Sequence, residues 1–328
     1  MSAAAAASAE ATPSTEATPS RDALLGRKVH VKVPATSANL GPGFDTLGLA
    51  LARYDELEVE VVGSGLEIEV HGVGEGEVPL DDSHLVVRAM AHTFARHGRA
   101  LPPIRLVAHN SIPHGRGLGS SGAAIVAGVM AAKGLLEPEV EISPDGLLEL
   151  ATELEGHPDN VAPALFGGLT IAWVTPDGPR HKKLMVHRGV SPLVLVPEHE
   201  MSTALARSLQ PQSVPHEDAV FNVSRSALLV AALIQSPELL LAATEDKLHQ
   251  SYRAEAMPET DRLIRRLREA GHPAVISGAG PSILVLASDP SERADAARLV
   301  EETADTAWQA LPLAVDFLGA TVTPADGP

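Results

Sequence analysis

A two-domain α+β protein is what this sequence predicts, and three observations carry the prediction. Strand-like alternation and helix-like spacing of apolar residues interleave along the chain instead of settling into one class. The character changes near His187-Arg188-Gly189-Val190-Ser191-Pro192, between two halves that each hold strands and helices. The 328 residues, 45% of them hydrophobic and 20% charged, suit two cores of ordinary size. The expected division is a tail over 1–26, a first domain over 27–188 and a second over 189–328.

The elements follow in order. The first 22 residues are Ala-rich, with Thr-Pro-Ser recurring around Glu10 and Glu16. They lack the basic start and apolar core of a signal peptide and read as a disordered tail, with the cytoplasm as the default location. Val29–Val33 alternates as a strand, as do Leu57–Val62 and Leu66–Val70 with Gly63-Ser64-Gly65 as the turn between them. His84–Gly98 has helical spacing and Ile104–Ala108 is a strand. Ser121–Leu136 is apolar nearly all round, the mark of a buried helix. Pro144–Glu155 is a helix opened by Ser143 as cap and Pro144 at the first position, and Gly168–Val174 is a strand. The second half starts with strand Leu193–Val196. Helices near 202–209, 217–234 and 258–270 come next, then strands Ala274–Ser277 and Ile283–Ala287, a helix over 291–310 and a last strand at 313–318.

Bulk properties exclude several functions. A formal charge of -17 argues against nucleic acid and anionic membrane surfaces as partners. No apolar run approaches 18 residues, so no membrane span is expected. The absence of cysteine removes disulfides and thiolate chemistry.

The chemistry concentrates in Pro113-His114-Gly115-Arg116-Gly117-Leu118-Gly119-Ser120-Ser121-Gly122-Ala123. Alternating glycines let the backbone approach a ligand closely, and the serines stand where the buried helix begins, as N-caps do. A helix N-terminus offers unpaired N–H groups and partial positive charge, so the stretch reads as a phosphate cradle. It also spells the glycine pattern of dinucleotide-binding turns. That motif needs a strand running straight into the glycines and a second strand soon after. Here strand Ile104–Ala108 ends too early, and a helix follows instead. Two further loops stand out. Pro34–Gly48, with Asn39 and Asp45, is a rigid loop that projects two polar side chains. Ser277-Gly278-Ala279-Gly280-Pro281-Ser282 joins two short strands as a hairpin turn.

These three motifs, with Glu155-Gly156-His157-Pro158-Asp159-Asn160-Val161-Ala162-Pro163-Ala164-Leu165-Phe166-Gly167-Gly168, resemble the GHMP kinases over about residues 28–320, and the last segment matches the family's homoserine branch. The resemblance implies an N-terminal domain like the second domain of ribosomal protein S5 and a ferredoxin-like C-terminal domain. It implies transfer of the ATP γ-phosphoryl to the hydroxyl of L-homoserine, with Mg²⁺, on the way to threonine. Mevalonate or a related hydroxy acid is the alternative acceptor, and a catalytically silent binding protein the alternative class. Relatives are often dimers, which leaves a homodimer open.

By the same resemblance, Pro113 through Ala123 would hold the ATP phosphates, and Ser120 or Ser121 with Glu155 the metal. Glu153 competes with Glu155. Asn39, Asp45, Thr203, Arg207 and Arg253 would hold the amino acid, with Asp45 as ammonium partner and the arginines as carboxylate forks. His157 and Asn160 would face the reacting hydroxyl; His157, Asn160 and Arg253 are the catalytic candidates. Asn160 stands where many GHMP kinases place an aspartate, and Asp159, in a tight turn, is expected to point elsewhere. Thr36 falls where some members carry a lysine. The expected mechanism is positioning and charge neutralisation without a dedicated protein base.

Overall fold

The computed structural model describes residues 21–325. Among these, seven strands form one mixed sheet: β1 (Lys28–Ala38), β2 (Leu47–Val61), β3 (Leu66–Gly72), β4 (Ile104–Asn110), β5 (Leu169–Thr175), β6 (Gly178–Leu184) and β11 (Thr321–Pro324). The order is β11-β1-β2-β4-β3, with β5 on the other end of β2 and β6 beside β5. Alternation in β1 sends Val29, Val31 and Val33 inward, where α2 (Ser120–Leu136) covers them. α2 is apolar on nearly every side because it is wrapped by α1 (Leu85–Arg96), α3 (Pro144–Glu155), α4 (Pro158–Phe166) and β1.

The second domain places β7 (Ser191–Pro197), β8 (Ala274–Ile276), β9 (Ile283–Ala287) and β10 (Trp308–Pro312) in the antiparallel order β10-β7-β9-β8. α9 (Pro258–Glu269) lies between β7 and β8 in sequence, and α10 (Pro290–Thr303) between β9 and β10. This βαββαβ path is the ferredoxin-like sandwich. α5 (Thr203–Ser208), α6 (His216–Gln235), α7 (Leu240–Ala243) and α8 (Gln250–Arg253) are inserted between β7 and α9.

Several expectations are corrected. Pro34–Ala38 is strand, not loop, because β2 begins ten residues earlier than expected and supplies partners at Gly48–Leu51. The register shifts between Pro34 and Ala35, where proline has no N–H to give. Gly63-Ser64-Gly65 does not close a hairpin: β4 enters between β2 and β3 and runs parallel to β3 across the α1 crossover. The expected helix 291–310 stops at Thr303, since Glu259 takes the N–H groups of Asp305 and Thr306 at 2.6 and 3.1 Å and turns the chain into β10. The last strand lies at Thr321–Pro324 rather than 313–318, and it pairs with β1 of the first sheet. Of the expected tail, residues 1–20 lie outside the described residues; Arg21–Leu24 form a 3-10 turn, and Leu24 is buried in the first core.

Candidate active site

Four loops converge between the two domains. The glycine loop enters α2 through Gly119, which sits at φ 69° as the N-cap residue. No side chain caps this helix, so the serines are not the caps the sequence suggested. A glycine cap leaves the first-turn N–H groups directed at the cleft, an arrangement suited to an anion. A Cβ at Gly119 would stand 1.9 Å from Thr36 Oγ1, and one at Gly117 2.1 Å from the Ser277 carbonyl oxygen. The spaced glycines are therefore demanded by close packing from both sides.

The loop after β1 is held by Asn39. Its Nδ2 donates to the Gly278 carbonyl at 2.8 Å, and its Oδ1 accepts from the Asp45 N–H at 3.0 Å. Asn39, Leu40 and Asp45 all have positive φ, so this loop is strained and pinned by that amide. Asn39 lines the cavity, but its hydrogen-bonding groups are already engaged in presenting Asp45.

Asp45 meets Arg207 of α5 in a fork, Oδ1 to Nη2 at 2.9 Å and Oδ2 to Nη1 at 3.3 Å. Thr203, one turn earlier, lines the same cavity. Arg253 is buried, donates to the Gly278 carbonyl at 3.1 Å and lies 5.5 Å from the centre of the Phe44 ring. Burial pulls its guanidinium down to about 10, against the pull of Asp45.

α3 ends at Gly156 and α4 begins at Pro158, so Glu155, His157, Asp159 and Asn160 project from a helix–helix junction. Asp159 does not point elsewhere, as expected from a tight turn: it occupies the first turn of α4, is buried, and accepts from His157 Nδ1 at 2.6 Å. That hydrogen bond raises the imidazole pKa. Asn160 Oδ1 accepts from Thr36 Oγ1 at 2.9 Å. Among the described residues no lysine lines the cavity; Lys32 lies over the Tyr54 ring and pairs with Glu56 at 2.9 Å.

Together Asp45, Glu155, His157, Asp159, Asn160, Thr203, Arg207 and Arg253 line a cavity of about 160 Å³ beside Gly115, Gly117, Gly119, Ser120 and Ser121. A second cavity of about 260 Å³ lies on the far side of the serines, walled by Val78, Pro79, Leu85, Val86, Ala123 and Ala127. His84 is buried there, its Nδ1 is unpartnered, and burial lowers its pKa.

Among the described residues no cluster of three or more His, Asp or Glu forms a closed metal site. Ser121 Oγ lies 2.9 and 3.2 Å from the two Glu155 oxygens, and burial raises the Glu155 pKa. A half-buried carboxylate with a hydroxyl partner is a hard-oxygen pair of the kind Mg²⁺ takes when phosphates and waters complete its shell. Glu153 is spent elsewhere, on His92 at 2.8 Å and on Arg96.

Not every residue of the glycine motif lines the cavity. Leu118 is fully buried and Pro113 is buried in the fold. Gly122 packs on Asn160, where an added Cβ would lie 3.3 Å from that residue's Cβ. The Arg116 guanidinium is taken by carbonyl oxygens of His114, Pro197 and Glu198 and does not line the cavity, unlike the neighbouring glycines with which it was expected to hold phosphates. Sequence reasoning missed Asp159, Gly278 and Met201 as cavity walls. Asp159 carried a signal as an acid two residues after a histidine at a helix start, and Gly278 as part of the Ser277–Ser282 turn; Met201 carried none.

Residues 84–168 match the GHMP kinases N terminal domain, and residues 228–305 the GHMP kinases C terminal domain. The chain is 76% identical to a homoserine kinase of Leifsonia xyli subsp. xyli, over 91% of this chain and 93% of that one. It is 70% identical to a homoserine kinase of Clavibacter michiganensis subsp. michiganensis, over 92% and 96%. The crystal structure of homoserine kinase from Cytophaga hutchinsonii superposes with a TM-score of 0.80 at 28% identity, over 90% of this chain and 98% of that one. The chain belongs to the GHMP kinases, ATP-dependent enzymes acting on a hydroxyl group, and within them to the homoserine kinases.

Proposed function

We propose that the protein transfers the γ-phosphoryl group of ATP to the side-chain hydroxyl of L-homoserine, giving O-phospho-L-homoserine. The carrying observation is the Asp45–Arg207 fork with Arg253 beside it, next to the open N-terminus of α2. Asp45 and Arg207 are 38% and 40% exposed, and an ion pair in such a setting holds only about 0–1 kcal/mol. A zwitterion can therefore exchange it cheaply, its ammonium going to Asp45 and its carboxylate to Arg207 and Arg253. A hydroxy acid without the ammonium would leave Asp45 facing a carboxylate.

ATP takes its phosphates to the N–H groups of Gly117, Gly119, Ser120 and Ser121 and its base to the apolar cavity by His84. Ser121 and Glu155 would hold a magnesium ion, which supplies charge neutralisation at the phosphates. Asn160, oriented by Thr36, and His157, oriented by Asp159, hold the acceptor hydroxyl in line. The hydroxyl oxygen bonds to the γ-phosphorus as the bond to the β–γ bridging oxygen breaks, and the hydroxyl proton passes to a γ-phosphate oxygen. Phosphoryl transfer with a loose transition state demands little early deprotonation. The reading places the reaction in the cytoplasm, where ATP is made available.

The test is ADP release with MgATP and a panel of acceptors. L-homoserine should turn over, and mevalonate should not at comparable concentration. Release with mevalonate alone, or with no acceptor in the panel, would refute the assignment. Asp159→Asn should keep turnover within about tenfold; a loss of about 10²–10⁴-fold at unchanged acceptor binding would mark a general base.

A further inference from the structure

The glycine loop is gripped from the second domain on both flanks. On one flank the Arg116 guanidinium donates to the carbonyl oxygens of Pro197 and Glu198 at 3.0 and 2.6 Å, and to that of His114, in its own loop, at 2.9 Å. It also pairs with Glu200 at 3.0 Å, and the Met201 N–H donates to the Gly115 carbonyl at 2.9 Å. On the other flank Ser277 Oγ donates to the Gly117 carbonyl at 2.7 Å.

What lies one step beyond each anchor matters. Met201 is followed by Ser202, whose side chain caps α5 by accepting the Leu205 N–H at 3.1 Å, and α5 carries Thr203 and Arg207. Ser277 is followed by Gly278, whose carbonyl holds both Arg253 and Asn39. Residues 198–200 are exposed, whereas Met201 and Ala206 beyond them pack into the second core, so the approach to α5 rests on the glycine loop on one side and on that core on the other. Arg116 lines neither cavity. Its planar guanidinium spreads donors over Nε, Nη1 and Nη2 toward three separate carbonyls, whereas a lysine donates from a single nitrogen on a flexible stem. Glu200 is 59% exposed, and its pair with Arg116 contributes little.

We infer that Arg116 is a positioning residue that couples the nucleotide and amino-acid sites, by tying the glycine loop to the segment that places α5. Phosphates that order the loop thereby order the approach to Thr203 and Arg207, and the second ligand meets a smaller ordering cost. The coupling is reciprocal by linkage. The inference rests on the proposed reading of the two cavities.

Isothermal titration of the full chain tests it. L-homoserine is titrated with and without a magnesium-loaded, non-hydrolysable ATP analogue, and the analogue with and without L-homoserine. In the unmodified protein each ligand should tighten the other by the same factor, about fivefold or more. Arg116→Met, which keeps the stem and removes the donors, should bring that factor to within about twofold of unity. The analogue's own affinity should hold within about twofold, because the removed donors touch no phosphate. Arg116→Lys should give an intermediate factor and carries the test if Arg116→Met does not fold; Glu200→Gln should keep the full factor. An undiminished factor in the folded Arg116 variants, or no coupling in the unmodified protein, overturns the inference. So does a loss confined to the analogue's own affinity, which would make Arg116 a phosphate ligand. Absence of any L-homoserine binding, even with the analogue present, sinks the acceptor reading instead, and the inference with it.

Discussion

The two sides of the cleft are made of different materials. The side proposed for the nucleotide consists of backbone N–H groups at the start of α2 and an apolar wall of Val78, Leu85, Val86 and Ala127, with one histidine that burial disposes to neutrality. The side proposed for the acceptor is an assembly of ionisable side chains: Asp45, His157, Asp159, Arg207 and Arg253, delivered by the loop after β1, the α3–α4 junction, α5 and α8. A surface of backbone groups fails when its shape is spoiled. A surface of charges fails when one partner is removed and another is left buried and unmatched.

Removing a buried charge is the most severe way to test the contrast. Arg253→Ala strips the acceptor side of a guanidinium that is 2% exposed and leaves the Gly278 carbonyl without one of its two donors. Truncating one member of a buried charged contact costs about 2–5 kcal/mol, or about thirtyfold to several thousandfold. That loss should fall on kcat/KM for the acceptor, while a nucleotide titration shows unchanged affinity. Equal losses for both ligands would mean that Arg253 supports the whole cleft rather than one side.

A steric change is the matching test of the other side. Gly119→Ala places a methyl 1.9 Å from Thr36 Oγ1 and 3.0 Å from Asn160 Oδ1, at a φ of 69°. The left-handed conformation alone costs about 1–2 kcal/mol for a residue with a Cβ. Nucleotide affinity should fall about tenfold or more, measured by titration with a non-hydrolysable analogue. Acceptor KM should move less; if it moved more, the glycine loop would belong to the acceptor side.

The same contrast explains what the sequence made legible. The nucleotide side is local: spaced glycines, a serine pair and an apolar helix lie within one continuous stretch, and elementary helix and glycine physics reads them. The acceptor side gathers residues from positions 45 to 253, and no spacing rule brings Asp45 to Arg207. Those residues were legible only through resemblance of their surrounding motifs. Asp159 was misplaced because the segment from Gly156 reads as a turn, whereas His157 and Pro158 open a helix that directs Asp159 inward. The hold of Arg116 on the second domain was not legible, because its acceptors are carbonyls at Pro197 and Glu198, which have no side-chain signature. In the fold, alternation revealed β1, β3 and the second part of β2. β6, with Arg180, His181, Lys182 and Lys183 in its seven residues, was missed because an edge strand with a polar face carries no apolar pattern.

The mildest test concerns a contact that belongs to neither side. Tyr54 donates to Asp316 Oδ2 at 2.8 Å, and the other oxygen of Asp316 accepts the N–H groups of Leu318 and Gly319 at 3.0 and 2.6 Å. The pair thus fastens the segment that leads to β11 onto β2. Burial, followed by the bond to Asp316, pushes the phenol up to about 12, whereas a tyrosine in an unfolded chain titrates near 10. Because the folded value is the higher one, the stabilisation is complete below about pH 10 and is lost as pH rises through 12. Tyr54→Phe should cost about 1 kcal/mol at pH 8, the usual worth of one hydrogen bond. In denaturant melts, its deficit relative to the unmodified protein should shrink between pH 10 and 12. Both ligand affinities should stay put, since Tyr54 lines neither cavity. A shift in either would show that the return of the chain to the first sheet shapes the cleft as well as the fold.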